Sequence, residues 1–243
     1  RNKNEHAIPV LAGGPGTGKS RFLDEIQNLL NEYAHASNDQ KVINAFKNMI
    51  VVNVTYRNGT TASNTDKILG SEASLAMRLF FAYFHPTSNF DKFISLCQQS
   101  SPDLRLSTAM QVIRQHVSMN LDDRVALIVG INEFNKLHDI DQSTSRSLIT
   151  SIGGQMCKAP KAFFFVPIVA STIEGLIYMY PQIFLPLPLL SDDRASKLAV
   201  QSFAMMITLL TTIISGAALV ISEVTLGTLE FFLEKFSEPK LLL

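Results

Sequence analysis

The sequence predicts a three-layer α/β domain with a mostly parallel sheet over residues 1–190, followed by a C-terminal helical cap over residues 191–243. Three observations predict it. A glycine-rich stretch lies between an apolar run and a helical segment near the N-terminus. Apolar runs rich in β-branched residues recur at 49–56, 124–131 and 163–170, with mostly helical segments between them. Polar residues follow these runs, where open α/β sheets hold their ligands.

The glycine-rich stretch is Gly13-Gly14-Pro15-Gly16-Thr17-Gly18-Lys19-Ser20, which fits the phosphate-binding pattern G-x-x-x-x-G-K-[ST] at every defined position. It follows the apolar run 7–12 and precedes a predicted helix over 21–34, which is the strand-turn-helix context that the P-loop pattern requires. Glycines let backbone N–H groups approach a phosphate, and the helix N-terminus adds partial positive charge. An ordinary glycine-rich turn is the alternative.

This motif predicts a binding role for every residue from Gly13 to Arg21. We expect Lys19 to reach the β- and γ-phosphates of a nucleotide and the Ser20 hydroxyl to ligate Mg²⁺. The motif therefore predicts a P-loop NTPase as the fold class, with a nucleoside triphosphate and Mg²⁺ as the expected cofactors.

Composition excludes some classes of function. Lysine plus arginine and aspartate plus glutamate each number 21 in the 243 residues, so no global field favours nucleic acid or a membrane surface. Cys97 and Cys157 lie far apart in mixed helical contexts, which predicts reduced thiols and a reducing compartment. The histidines lack metal-ligand spacing, so we expect no zinc. The chain begins at Arg1 without an apolar leader, so we expect a fragment or a processed form.

The remaining elements follow in chain order. We expect a polar surface turn at 34–41, an edge or near-edge strand at 49–56, helices at 70–84, 93–97 and 106–117, and a doubly covered strand at 124–131. A helix at 143–157 and a strand at 163–170 come next. Prolines favour an extended segment at 183–190, and Ser191-Asp192-Asp193 favours a helix that begins near Arg194.

Asn132 and Glu133 follow the doubly covered strand, where a P-loop enzyme places the carboxylates that hold metal and activate water. Glu133 suits the general base. Asn132 and Ser20 are the two candidate metal ligands. An amide has no negative charge, so Mg²⁺ affinity and the rate of hydrolysis should both be lower than with an aspartate at position 132. The alternative is that Asn132 is a turn residue at a strand end.

Further candidates lie at the next strand end and on helices. Ser171 or Thr172 could bond the γ-phosphate or the attacking water, or could cap a following helix. Arg146 and Arg194 are candidates for transition-state assistance, although an arginine at such a position is more often a solvated helix residue. Arg57 and Arg78 are weaker candidates.

The segment Leu198 to Ser222 has no charged residue and is long enough to span a bilayer. Its polar residues and the break at Ser215-Gly216 also suit two buried helices that cap the nucleotide. We expect the buried cap, and a membrane span is the alternative.

With these residues in view, the sequence resembles the P-loop NTPase module of the Crinkler and retrotransposon-hot-spot protein group over roughly residues 7–190. The likeness lies in the extended loop 11–23, the second strand 52–60, and Ile131-Asn-Glu-Phe-Asn-Lys-Leu137 as the Walker B region. The loop itself is shared with wider AAA+ and STAND ATPases. The resemblance matches Lys19 and Ser20 to the Walker A pair and Glu133 to the Walker B glutamate, whereas Asn132 departs from aspartate.

Members of this group look like secreted effectors or mobile-element proteins in which an ATPase module precedes a nuclease-like domain. The resemblance implies ATP as the nucleotide and secretion into a host cell, but it does not imply nuclease activity for this chain, which ends at Leu243.

The leading hypothesis is an Mg²⁺-dependent ATPase or ATP-driven switch module, with a protein partner or a second copy reading the switch. The alternatives are a non-hydrolysing nucleotide-binding interaction module and a membrane-anchored NTPase. A kinase is less favoured, because no acceptor site or arginine-rich lid is recognisable.

Overall fold

The computed structural model describes residues 7–36, 40–86, 88–100, 104–117, 125–158, 163–172 and 182–184. The strands in these ranges are β1 (Ile8–Ala12), β2 (Ile50–Thr55), β3 (Val125–Asn132), β4 (Phe163–Ser171) and β5 (Gln182–Phe184). The helices there are α1 (Lys19–Ala36), α2 (Gln40–Lys47), α3 (Asn64–Leu69), α4 (Ser71–Phe84), α5 (Phe90–Ser100), α6 (Leu106–Val117), α7 (Phe134–Ile140) and α8 (Gln142–Lys158).

The strands form one sheet in the order β2-β3-β4-β1-β5, and every neighbouring pair is parallel. The predicted α/β class with a parallel sheet is confirmed, and β2 lies at the edge. The predicted cap from residue 191, the segment Leu198 to Ser222 and most of the extended segment 183–190 lie outside the described residues. No helix in the described ranges is both long enough and apolar enough to cross a bilayer.

Some boundaries differ from the prediction. Helix α1 begins at Lys19, two residues before the predicted start, so the lysine and serine of the loop motif belong to its first turn. The predicted surface turn at 34–41 was wrong at both ends, because α1 continues to Ala36 and α2 begins at Gln40. The helices α2, α3 and α7 were not predicted.

Helices cover both faces of the sheet. On one face, Ala126 and Ile128 of β3 share a buried apolar cluster with residues of α1 and α2. On the other face, Leu127 and Val129 share a larger cluster with residues of α4 to α8. Every residue from Val125 to Ile131 is therefore buried, which explains why β3 reads as a continuous apolar run rather than as an alternating pattern.

The packing of α1 against the sheet depends on Gly130 of β3. The Asn53 side chain on the neighbouring strand β2 crosses this glycine, and its Nδ2 donates to the Leu23 carbonyl of α1 at 2.8 Å. A methyl group at position 130 would lie 2.3 Å from Asn53 Oδ1 and 3.0 Å from Leu23 Cδ2. The absence of a side chain at position 130 therefore leaves the space that Asn53 and Leu23 occupy in this packing.

A buried ion pair fixes the loop between β2 and α3. Arg78 of α4 binds both carboxylate oxygens of Asp66 and donates to the backbone carbonyls of Thr55 and Thr60. Its guanidinium carbon lies 4.2 Å from the centre of the Tyr56 ring. The backbone N–H of Tyr56 in turn donates to the Asn132 carbonyl at 3.1 Å, so the loop also supports the end of β3.

Gly130→Ala should lower the free energy of unfolding by about 1–3 kcal/mol, because the new methyl group displaces the Asn53 amide and crowds Leu23. The same change in an Asn53→Ala background should cost clearly less, since the closest clash is then absent. Urea denaturation of the four proteins measures this double-mutant cycle.

Gly154→Ala is the matched control, because a methyl group there meets no atom within 4 Å. In the interior of α8 this change should stabilise the protein by about 0.5–1 kcal/mol. Equal costs of Gly130→Ala in both backgrounds would contradict the role assigned to Asn53.

Candidate functional site

The loop between β1 and α1 is built to present backbone N–H groups. Gly16 and Gly18 have φ angles of 81° and 85°, in the left-handed region that side chains disfavour. The first helical hydrogen bond runs from the Phe22 N–H to the Gly18 carbonyl at 2.9 Å. Helix geometry therefore leaves the N–H groups of the first turn without acceptors inside α1, so that they are available to an anion at this end.

Lys19 folds back over this loop. Its ammonium donates to the Gly13 carbonyl at 2.6 Å, to the Gly14 carbonyl at 2.8 Å and to Thr17 Oγ1 at 3.3 Å. The side chain is buried, with 7% of its surface exposed. Thr17 Oγ1 also donates to the Gly14 carbonyl at 2.9 Å. The Lys19 ammonium is therefore surrounded by uncharged oxygen atoms of the loop.

The electrostatics of Lys19 favour an anionic partner. Burial lowers the pKa of its ammonium, and the negative charge of Glu133 acts in the opposite direction. The three groups that accept from Lys19 are uncharged, so they compensate only part of the lost hydration. A phosphate beside the ammonium would add charge-assisted hydrogen bonds, which are about twice as strong as neutral ones.

Ser20 meets the end of β3. Asn132 Nδ2 donates to Ser20 Oγ at 2.9 Å, although the two residues lie 112 positions apart in the chain. The backbone N–H of Glu133 donates to Asn132 Oδ1 at 3.0 Å. The structure thus brings together the loop serine and the strand-end asparagine that were predicted from sequence as one metal site.

The donor set of this pair does not fit Mg²⁺ as it is arranged. Asn132 directs its N–H₂ group, which cannot ligate a cation, at Ser20, and its oxygen already accepts from Glu133. Mg²⁺ prefers oxygen ligands that include carboxylates. No group of three or more His, Cys, Asp or Glu residues that could hold a metal occurs within the described ranges. Magnesium therefore stays a prediction.

Glu133 has a strained backbone. Its φ and ψ angles are 55° and 37°, the left-handed region that costs an L-residue about 1–2 kcal/mol. It occupies the N-cap position of α7, yet its side chain makes no capping hydrogen bond. Strain of this kind concentrates at functional sites. The half-buried carboxylate is close enough to oppose part of the lowering of the Lys19 pKa that burial causes.

Asn135 was not identified by sequence analysis. It lies two residues after Glu133 in the first turn of α7 and is 3% exposed. Its Oδ1 has no hydrogen-bond partner among the described residues. An unsatisfied buried acceptor is costly, so Asn135 becomes a further candidate functional residue. No pattern in the sequence distinguishes it from a surface asparagine.

The other predicted candidates are dispersed. Ser171 is buried at the end of β4, opposite Ala12 of β1, and Thr172 follows it half-buried. Arg146 has an exposed side chain in α8. Arg78 belongs to the buried ion pair with Asp66, and Arg194 lies outside the described residues.

Comparison with known proteins gives one informative likeness. No protein-family model matches the chain. The chain is 29% identical over 140 residues to Crinkler effector protein 108 of Phytophthora sojae. This similarity supports a Crinkler-like relationship. The match covers 56% of this chain but 17% of that Crinkler effector, so the chain spans a small part of its Crinkler relative.

Two substitutions test the strain at Glu133, since both remove the carboxylate. Glu133→Gly should be more stable than Glu133→Ala by about 1 kcal/mol, because only glycine adopts the left-handed conformation without penalty. Urea denaturation measures the difference.

The same pair of changes at Asp139, an exposed residue within α7, is the control. Alanine should be the more stable residue there by about 1 kcal/mol, as in an ordinary helix. If alanine is also the more stable residue at position 133, the backbone strain assigned to Glu133 is wrong.

Proposed function

We propose that this chain binds the triphosphate of ATP through the loop 13–20 and acts as a nucleotide-dependent switch module of a Crinkler-like effector. One observation carries the proposal. The Lys19 ammonium lies buried over the loop carbonyls, next to a helix N-terminus and a serine hydroxyl that is held from the end of β3.

Each group has a part in holding the phosphates. The N–H groups of the loop and of the first turn of α1 surround the anion. Lys19 exchanges its contacts with Gly13 and Gly14 for phosphate oxygens, and the pKa of its ammonium should then rise because an opposite charge lies beside it. Ser20 adds a hydroxyl at a position that Asn132 determines.

The sheet topology supports the same site. The chain leaves β1 for β2 at one edge of the sheet and leaves the neighbouring strand β4 for β5 at the other edge. Ligands of open α/β sheets bind beyond the carboxyl ends of strands at such a reversal. The loop 13–18 follows β1 at this point, beside Ser171 of β4. This topology supports the proposed P-loop NTPase fold.

Lys19→Ala should weaken ATP binding by about 10- to 100-fold, since each hydrogen bond to a charged group contributes about 1.5–3 kcal/mol. Isothermal titration calorimetry on the full chain measures the dissociation constant. Lys67→Ala removes an exposed lysine of α3 and is the matched control, with unchanged affinity expected. Equal affinities of Lys19→Ala and the unmutated chain would refute binding at this loop.

Hydrolysis is a second candidate function, and the geometry of Glu133 favours it. The carboxylate is half-buried, does not cap α7 and acts electrostatically on Lys19, so it can accept a proton from a water near a bound phosphate. Ser171 or Thr172 at the end of β4 could orient that water. Asn132, in place of a carboxylate, favours the non-hydrolysing switch.

Glu133→Gln should reduce phosphate release from ATP by about 100-fold or more, because the amide keeps the shape of the side chain but cannot act as a base. Glu32→Gln, an exposed position of α1, should leave the rate unchanged. Phosphate release is measured for the three proteins in parallel. An equal rate for Glu133→Gln would exclude Glu133 as the base, and binding without turnover in the unmutated chain would leave the non-hydrolysing switch.

The cellular setting follows from the Crinkler-like relationship. We propose that the protein is secreted and acts inside a host cell, where a protein partner or a second copy responds to the nucleotide state. Burial raises the pKa of the Cys97 thiol to about 12, so this thiol stays protonated, which suits a reducing compartment.

A further inference from the structure

We infer that Asn132 makes Ser20 a direct hydrogen-bond donor to phosphate instead of a metal ligand, so that nucleotide binding at this loop does not require magnesium. The inference rests on the proposed nucleotide binding and concerns the chemistry by which the same site receives its ligand.

The orientation of the Asn132 amide is determined by its neighbours. The backbone N–H of Glu133 lies 3.0 Å from Asn132 Oδ1 and requires an acceptor, which the amide nitrogen cannot be. The oxygen must therefore face Glu133, and the N–H₂ group must face Ser20 Oγ at 2.9 Å. An amide flip is excluded because it would place two donors against each other at Glu133.

This orientation controls the Ser20 hydroxyl. A serine hydroxyl has one proton and two acceptor lone pairs. One lone pair accepts from Asn132, and the proton cannot point toward Asn132 because the amide nitrogen accepts no hydrogen bond. The Ser20 side chain is exposed at the first turn of α1, so its proton is free to point toward the loop, where it can meet a phosphate oxygen.

A carboxylate at position 132 would act in the opposite way. It could accept from both the Glu133 N–H and the Ser20 O–H, which would turn the serine lone pairs toward the loop. It would also place a negative charge beside the phosphates in addition to that of Glu133. A bound cation would then be needed to offset the repulsion, whereas with Asn132 the positive charge of Lys19 and the N–H groups of the first turn oppose a single carboxylate.

The test compares ATP affinity in excess Mg²⁺ with affinity in EDTA, by calorimetry on the full chain. For the unmutated protein we expect the two dissociation constants to agree within about threefold. For Asn132→Asp we expect binding in EDTA to be weaker than in Mg²⁺ by at least about tenfold, because the added carboxylate makes the site depend on the cation. A merely structural role of Asn132 would not create this dependence on magnesium.

Ser20→Ala provides a second readout. Loss of a phosphate donor should weaken binding by the same factor in both buffers, about 2- to 10-fold, whereas loss of a metal ligand would weaken binding in Mg²⁺ alone. Thermal unfolding checks that each variant is folded. If Asn132→Asp does not fold, the affinities of the unmutated chain and of Ser20→Ala in the two buffers still test the inference.

The outcomes separate this inference from the function on which it rests. ATP binding that requires Mg²⁺ in the unmutated protein would overturn the inference and leave nucleotide binding in place. Absence of binding in both buffers would overturn the proposed function and the inference together. Comparable affinity in both buffers, with a magnesium requirement introduced by Asn132→Asp, would support both.

Discussion

The site depends on the close approach of α1 to the centre of the sheet. That approach is possible because position 130 of β3 has no side chain, so Asn53 can cross it and hold the Leu23 carbonyl. Leu23 lies one helical turn from Lys19, so the hydrogen bond that holds the helix also determines where its first turn lies. The contact between Ser20 and Asn132 follows from this packing rather than from the loop alone.

Much of the architecture could be predicted from sequence because its strands are runs of apolar and β-branched residues, of which β3 is buried on both faces. The residues of β2, β3 and β4 were recognisable in this way, and the longer helices by their spacing. The short helices were not. Helix α3 has a capping box between Ser63 and Asp66, which the sequence could have indicated. Helix α7 instead follows the left-handed N-cap residue Glu133, a start that no helix pattern predicts.

The candidate site also has features that could be predicted from sequence and features that could not. The meeting of Ser20 with Asn132 could be predicted, because parallel strands and the helices after them bring their ends to one edge of the sheet. The direction of their hydrogen bond could not be predicted. It depends on the direction of the Glu133 N–H, which is determined by the left-handed backbone conformation of that residue. The burial of Asn135 and the inward turn of Lys19 likewise depend on tertiary packing that local sequence does not encode.

The buried pair of Arg78 and Asp66 has a consequence for how this fold can diverge. A change at one partner alone leaves a buried charge unpaired, which costs about 3–5 kcal/mol, a large part of the stability of an ordinary domain. Substitutions at these two positions should therefore occur together during evolution. Arg78 binds the loop after β2 through backbone carbonyls, so the exposed Arg57 can be replaced while the shape of the loop persists. The exposed side chains of this loop can therefore change without disturbing the end of β3, which the loop supports.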